Sequence, residues 1–302
     1  MKARLRDLVT FAQLEVEAND IEPWADILTW LYANEKLGIE EALWATKLYN
    51  AYDDFGSGFR VFERFHSPAA WARASQPDQE IVNKLPMSQE RRNLRGGRAI
   101  KHFESYVEAL DGLDQEPWLL EIVDPFGDPF ENYASLMERL RGIWGVGRQT
   151  AFEWAEFVGK VAGLPVETSD GALWESSGPR ESLERLYQVY PKKANEDQLS
   201  YFAEVTKMRL AEHGVKLSWW DFETVICDYN VMTKGRYYPG QHIAMVREEI
   251  EGLADPYQSM LMEAFMAVIP APWNEVPGGA SKDLRRAYRD LGVIITPVGG
   301  KR

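Results

Sequence analysis

Arginines and carboxylates stand in this chain where they could stabilise departing charge and move protons. The run Gln89-Glu90-Arg91-Arg92-Asn93-Leu94-Arg95-Gly96-Gly97-Arg98-Ala99-Ile100-Lys101-His102 holds four arginines within eight residues. Arg91, Arg95, Arg98 and His102 would share one face of a continuous helix, whereas Gly96-Gly97 could break it and let backbone approach an anion. Guanidinium forks match phosphate oxygens, so Arg91, Arg92, Arg95 and Arg98 are candidate ligands for a phosphoryl group; the plain alternative is a solvated helix face. Arg180 follows Ser176-Ser177-Gly178-Pro179, a helix start with Ser177 as the cap and Pro179 in the first turn. A cation there opposes the helix dipole unless it meets an anion or bridges to Glu184 one turn on. Farther along, Trp219-Trp220-Asp221-Phe222-Glu223-Thr224-Val225-Ile226-Cys227-Asp228-Tyr229 and Lys234-Gly235-Arg236-Tyr237-Tyr238-Pro239-Gly240 mix aromatics with acids and bases. A carboxyl among aromatics can have a raised pKa and serve as a general base, which makes Glu223 and Asp228 candidates. Cys227 is more often a small buried residue than a nucleophile.

The elements that would position these groups are helices. Trp24, Ile27, Leu28 and Leu31 follow helical spacing, and so do Leu43, Thr46, Lys47 and Asn50. Asp53-Asp54-Phe55-Gly56-Ser57-Gly58 is expected to break the second of these helices. Asp111-Gly112 and Pro117 mark a turn, and Asp124-Pro125-Phe126-Gly127-Asp128-Pro129 a loop. Further helices are expected over 183–189, 198–213, 219–229 and 257–268, and the tail from Pro297 to Arg302 is expected to be mobile. No series of alternating strands is present, so the fold class is all-α. The sharpest pattern is the apolar helix that runs through Leu136 and Leu140 into Ile143-Trp144-Gly145-Val146-Gly147-Arg148-Gln149-Thr150-Ala151. Ala151, Trp154, Ala155 and Val158 then give the next helix one buried face. Gly145 and Gly147 permit positive φ and close approach of another backbone. Amides at the start of the second helix, around Arg148, Gln149 and Thr150, point outward with the positive end of its dipole, a geometry that captures a phosphate. A tight helix–helix turn without a ligand is the alternative.

Composition limits the rest. The chain has 302 residues, 45% of them hydrophobic, enough for one large two-lobed domain or two modest ones. The net charge of −13 argues against a protein that is basic overall, but a local basic groove is compatible with it. One cysteine and four scattered histidines make an iron–sulfur cluster or structural zinc unexpected. No apolar run nears the ~18 residues that cross a bilayer, and the start lacks the apolar stretch of a signal peptide. A cytoplasmic location without membrane association follows as the expectation.

The hairpin resembles the helix-hairpin-helix of the DNA glycosylase superfamily, whose Leu-Pro-Gly-Val-Gly-x-x-Thr-Ala run grips one DNA strand; Trp144 stands where that family has proline. The resemblance implies a single two-lobed glycosylase-like domain over 1–302 with the motif at 131–161. It also implies DNA contacts from Gly145, Gly147, Arg148, Gln149 and Thr150, and a monovalent cation beside the hairpin as the one possible cofactor. After the hairpin this superfamily presents an acid to the active site. Val166-Glu167-Thr168-Ser169-Asp170 resembles that stretch, with Glu167 at the acidic position and Asp170 as its rival; either could instead cap the next turn. Gln149 replaces the lysine nucleophile of lyase-type members, and an amide forms no Schiff base.

A wider pattern resembles the α-glutamyl/putrescinyl thymine pyrophosphorylases of phages, also called amino acid:DNA transferases. It is carried by Leu43-Trp44 with Leu48-Tyr49, Arg91-Arg92-Asn93-Leu94-Arg95, Gly145-Val146-Gly147, Trp174-Glu175-Ser176-Ser177-Gly178-Pro179-Arg180, and Glu223-Thr224 with Cys227-Asp228. That resemblance implies displacement of pyrophosphate from 5-pyrophosphoryloxymethyl-uracil in DNA by an amino acid or polyamine, in the cytoplasm of an infected bacterium. Arg91, Arg92, Arg95 and Arg98, helped by Arg180, would stabilise the pyrophosphate, and aromatics would stack a flipped base. The base would be Glu167, Asp170, Glu223 or Asp228, with Asp170 preferred because it follows the hairpin helix into the site. A covalent route through Cys227 is the less favoured path. A monofunctional glycosylase using Glu167 or Asp170, or a non-catalytic DNA-binding module, would fit the same hairpin.

Overall fold

A computed structural model describes residues 2–91, 93–171, 173–189, 191, 193–276 and 290, the side chains of residues 2, 3 and 90 excepted. Arg92 and the tail from Pro297 lie outside the described residues. Every regular element among the described residues is helical. In chain order the helices are α1 (Lys2–Ala18), α2 (Pro23–Ala33), α3 (Ile39–Tyr52), α4 (Phe55–Arg64), α5 (Pro68–Ala72), α6 (Gln76–Gln79), α7 (Ala99–Ala109), α8 (Gln115–Leu120), α9 (Pro129–Arg141), α10 (Arg148–Ala162), α11 (Ser177–Leu186), α12 (Glu196–Glu212), α13 (Trp219–Thr233), α14 (Gln241–Glu251) and α15 (Tyr257–Val268). No helix among the described residues is long and apolar enough to cross a membrane. The chain divides into two compact units, each built from separated segments: Met1–Pro23, Thr168–Glu248 and Ile269–Arg302 form the first, Trp24–Glu167 and Glu249–Val268 the second.

The first unit packs α1, α11, α12 and α13 around Leu8, Phe11, Leu183, Leu199, Phe222 and Ile226. Burying a side chain of this kind removes apolar surface worth about 1.5–3 kcal/mol. On α1 the inward stripe is Leu8, Phe11, Ala12, Glu15 and Ala18, so a carboxylate occupies a core position at helical spacing. Ser176 rather than Ser177 is the N-cap of α11, yet its hydroxyl does not cap the helix. It donates instead to Glu223 Oε1 on α13 at 3.0 Å. A Cβ on Gly178 would stand 2.8 Å from Cys227 Sγ, which shows how closely α11 lies on α13.

The second unit is organised around α3, buried without interruption from Ala42 to Tyr52. A helix buried on all sides needs its polar groups satisfied inside. Lys47 and Asn50 are fully buried with it, and their partners tie α3 to its neighbours. The stretch after α3 ends that helix, as expected, and a new helix begins within it. After one left-handed residue, Asp53, the side chain of Asp54 accepts the Ser57 amide and starts α4. Gly58 lies inside α4 because a Cβ there would meet Tyr49 N at 3.2 Å and Leu48 C at 3.3 Å. Pro117 likewise sits within the first turn of α8, where its missing N–H breaks no intrahelical bond.

Glu249 receives the amides of Phe55 at 2.6 Å and Gly56 at 3.3 Å, at the start of α4. Burial, reinforced by Asp54, pushes its carboxyl up to about 8. A folded value above the unfolded one means that stability is fully present below the ordinary carboxyl range and is lost as pH rises through about 8. Glu249→Gln keeps an acceptor for the two amides without the buried charge. We expect it to stabilise the protein by about 2–4 kcal/mol at pH 8, with little gain at pH 5. Denaturant unfolding at the two pH values checks this; equal changes at both would contradict it.

Candidate functional site

The hairpin of the second unit is built as α9, a turn and α10. Gly145 has φ +84, whereas Gly147 is the N-cap of α10 with φ −87 and ψ 178, an extended conformation open to any residue. Of these two glycines, both of which permit positive φ, only Gly145 adopts it. A Cβ on Gly145 would come within 2.6 Å of Leu94 Cδ2, while one on Gly147 would meet nothing within 4 Å. Gly147 is exposed, and the first amides of α10 have no intrahelical acceptor. Arg148 donates to Gln149 Oε1 at 2.8 Å and stands over the Phe152 ring, and Gln149 donates to Glu153 Oε1 at 2.9 Å. Thr150 turns inward, its carbonyl accepting from Asn50 at 3.0 Å.

The basic segment and the hairpin, read as separate motifs, are one structure. Asn93 Nδ2 donates to Gly145 O at 2.6 Å, and Ser105 Oγ accepts the Trp144 amide at 2.9 Å. His102 Nδ1 lies 2.7 Å from Trp144 O. A carbonyl only accepts, so Nδ1 carries the proton and Nε2 accepts from the contacting Lys47 Nζ. Lys47 stands 4.3 Å from the Trp154 ring centroid. Burial, then the Arg91 charge, holds its ammonium well below the usual lysine range; burial, then Lys47, pulls His102 down as well. The turn is thus held from beneath by α3 and α7.

The three arginines of that segment among the described residues do not form one surface. Arg91 is 1% exposed, donates Nε to Asn50 O at 2.7 Å and is paired with Glu153. Burial, the largest single influence, opposes its charge, but Glu153, Asp53 and Tyr49 together outweigh it and raise the guanidinium's pKa. It is therefore spent inside the protein rather than offered to a ligand. Arg92 is outside the described residues. Arg95 and Arg98 are exposed, with Arg95 donating to Met87 O at 2.6 Å and Arg98 at the N-cap of α7. Arg180, in the first unit, bridges to Glu184 at 3.2 Å, donates to Ala194 O at 3.0 Å and covers Trp174. Its partners are those of a structural residue.

The carboxylates separate as well. Glu167 is exposed in the second unit, its amide bonded to Pro129 O at 3.1 Å. Asp170, Glu223 and Asp228 belong to the first unit. Asp170 is exposed and precedes Gly171, whose φ of +65 lets the turn lie against Trp219 and Glu223. Asp228 faces different company. Asp20, fully buried, accepts from Ile243 N at 2.8 Å, Gly240 N at 2.5 Å and Tyr237 OH at 2.7 Å. Tyr237 OH also lies 3.0 Å from Glu15 Oε2, and His242 Nδ1 lies 3.0 Å from Asp20 O and 3.9 Å from Asp228 Oδ2. Burial raises the Asp228 carboxyl to about 6, His242 opposing and Asp20 adding to the shift. That value suits a base near neutral pH. Asp228 remains partly exposed, in a helical stripe with Thr224 and Cys227. Glu15, Asp20 and His242, the neighbours of Asp228, were not legible in the sequence as a cluster. The available signal was Glu15 itself, an acid at an apolar position of α1. Among the described residues no group of His, Cys, Asp and Glu is arranged to hold a metal ion.

The hairpin geometry separates two glycine substitutions. Gly147→Ala should leave stability within about 0.5 kcal/mol and weaken DNA binding, because its methyl would occupy the open approach to the α10 amides. Gly145→Ala should destabilise the fold by about 1–3 kcal/mol through its clash with Leu94 and its left-handed backbone. Thermal unfolding beside a salt series of DNA affinities measures both. Unchanged affinity in a folded Gly147→Ala variant would remove the hairpin from the DNA interface.

A family model described as amino acid:DNA transferase matches residues 19–238. No curated protein matches the chain.

Proposed function

The chain belongs to the amino acid:DNA transferase family and so has a role in DNA modification; from that premise we propose that it replaces the pyrophosphate of 5-pyrophosphoryloxymethyl-uracil in DNA with the amine of an amino acid or polyamine. The observation that carries the chemistry is Asp228, a partly exposed carboxyl near pKa 6 with buried acids behind it. Asp228 takes a proton from the incoming ammonium. The free amine attacks the exocyclic methylene carbon, a C–N bond forms, and the C–O bond breaks with its electron pair leaving on pyrophosphate. The new secondary ammonium then loses its second proton to solvent. Positioning and neutralisation of departing charge supply the remaining acceleration; within the basic segment Arg95 and Arg98 are the exposed arginines of the described residues. Asp228 replaces Asp170 as the preferred base because burial and its charged neighbours raise its carboxyl to about 6.

DNA is held through the α10 amides at Gly147 to Gln149, with the target base flipped out for reaction. The carbonyls of Trp144 and Gly145 already accept from His102 and Asn93. A monovalent cation at the hairpin would rest on the other carbonyls of the turn and supply counter-charge to a phosphate. The host setting is an infected bacterial cytoplasm. Incubation of the enzyme with pyrophosphoryloxymethyl-uracil DNA and mixed amino acids and polyamines, followed by nucleoside mass spectrometry and pyrophosphate detection, tests the reading. Stoichiometric amine conjugation and pyrophosphate release are expected. Release of free base would make the protein a glycosylase, and untouched DNA would leave a binding module.

A further inference from the structure

We propose that Glu15, with Asp228, forms the pocket that binds the primary ammonium of the amine donor, Asp20, Tyr237 and His242 completing its walls. The assignment rests on the transferase reading and adds the residues that recognise the amine. Three carboxylates from separate elements are linked here: Glu15 from α1 and Asp20 from the turn after it share the Tyr237 hydroxyl, and His242 Nδ1, 3.4 Å from that hydroxyl, lies 3.9 Å from Asp228 Oδ2 on α13. Asp20 is satisfied by two backbone amides and the tyrosine hydroxyl. The other two are not. Glu15 is fully buried, its Oε2 shares the single Tyr237 proton with Asp20, and its Oε1 has no hydrogen-bond partner. Asp228 Oδ2 is also buried without a hydrogen-bond partner, 3.9 Å from His242 Nδ1. Buried carboxylate oxygens without donors are costly, and here two of them belong to acids that feel each other's charge.

A donor-rich cation satisfies both at once. An ammonium offers three N–H groups and no acceptor, matching a wall made of acceptors. Metal coordination is a poorer fit, since the described acids and histidine are not arranged as a ligand set. An amine would enter from the Asp228 and His242 side, where both side chains keep partial exposure while Glu15 and Asp20 have none. An ammonium seated between Glu15 and Asp228 would already touch the group that deprotonates it. Burial, then the charges of Asp20 and Asp228, keep the Glu15 carboxyl well above its ordinary value, and a cation seated beside it favours the ionised form. Amine binding is therefore expected to release protons.

The test is calorimetry on the full chain with methylammonium, glycine, glutamate and putrescine, and with 1,4-butanediol as the neutral counterpart of putrescine, in two buffers of different ionisation enthalpy. Expected is saturable binding of an amine, none of the diol, and a buffer-dependent heat that reports proton release. Glu15→Gln should raise the amine Kd and its KM in transfer by about tenfold or more, with a smaller change in kcat and unchanged DNA affinity. Asp228→Asn should lower kcat foremost. Should Glu15→Gln fail to fold, the wild-type protein still decides: the amine must raise Tm with proton release and the diol must not. Amine binding or amine KM untouched by Glu15→Gln, or binding without proton release, overturns the proposal while leaving transfer intact. Glu15-dependent ammonium binding without any transfer to modified DNA would keep the pocket and discard the transferase chemistry.

Discussion

Asp228→Asn should cut amine transfer by about 10²–10⁴-fold with DNA affinity and fold retained. Asparagine preserves the shape of the side chain and removes the proton acceptor. In the wild-type enzyme the carboxyl must be ionised to act, so the rate should fall as pH drops below about 6 and lie flat above it where this group alone controls turnover. The variant's residual rate should lack that limb. The stability consequence has the opposite sense. A folded value raised by burial makes the contribution of Asp228 fullest below the ordinary carboxyl range and diminishes it as pH rises through about 6. The asparagine variant should therefore be at least as stable as wild type at pH 7. Single-turnover kinetics from pH 5 to 8, beside thermal unfolding, measures both. Full activity in Asp228→Asn combined with its loss in Asp170→Asn would return the base to the turn after α10.

Arg91→Ala should destabilise the protein by about 3–5 kcal/mol, the range for breaking a buried ion pair by removing one partner. Glu153 would lose its counter-charge and Asn50 O its guanidinium donor, on two helices that carry the hairpin. Adding Glu153→Gln should recover part of the loss, because the stranded carboxylate is then gone. Arg95→Ala and Arg98→Ala, on exposed side chains, should shift stability by no more than about 0.5 kcal/mol and slow transfer. Urea unfolding of the set decides the matter. A stable Arg91→Ala protein that releases pyrophosphate slowly would restore Arg91 as a ligand of the leaving group.

The arginine run shows where sequence reasoning stops. Composition revealed a cluster of positive charge, and four guanidiniums in eight residues invited a single role. Their fates differ because a 3₁₀ turn, followed by the glycine turn at Gly96-Gly97, replaces the continuous helix that would have aligned them. Arg91 points into α3 and α10, whereas Arg95 and Arg98 face water. The same limit applies to Arg180, whose bridge to Glu184 was one of two readings its spacing allowed.

Local pattern was sufficient wherever the physics is local. Helical periodicity placed α2, α3, α12, α13 and α15 but not α1 or α14, because one apolar stripe every 3.6 residues needs no distant partner to be recognised where it is regular. The Gly-Val-Gly turn between two such stripes marked the hairpin, and a backbone requirement for positive φ at Gly145 is written in the residue itself. The family resemblance rested on the same local runs. Burial and charge coupling are not local. Lys47 is ordinary in its helix until α7 and α10 close around it, and Asp228 is 213 residues from Glu15 and 208 from Asp20 in the chain until α1 and α13 pack together. The field at a carboxyl depends on which charges and how much solvent lie within a few ångströms of it. That distance is set by tertiary packing alone, which is why the sequence named Asp228 as one acid of four and only the folded chain distinguished it.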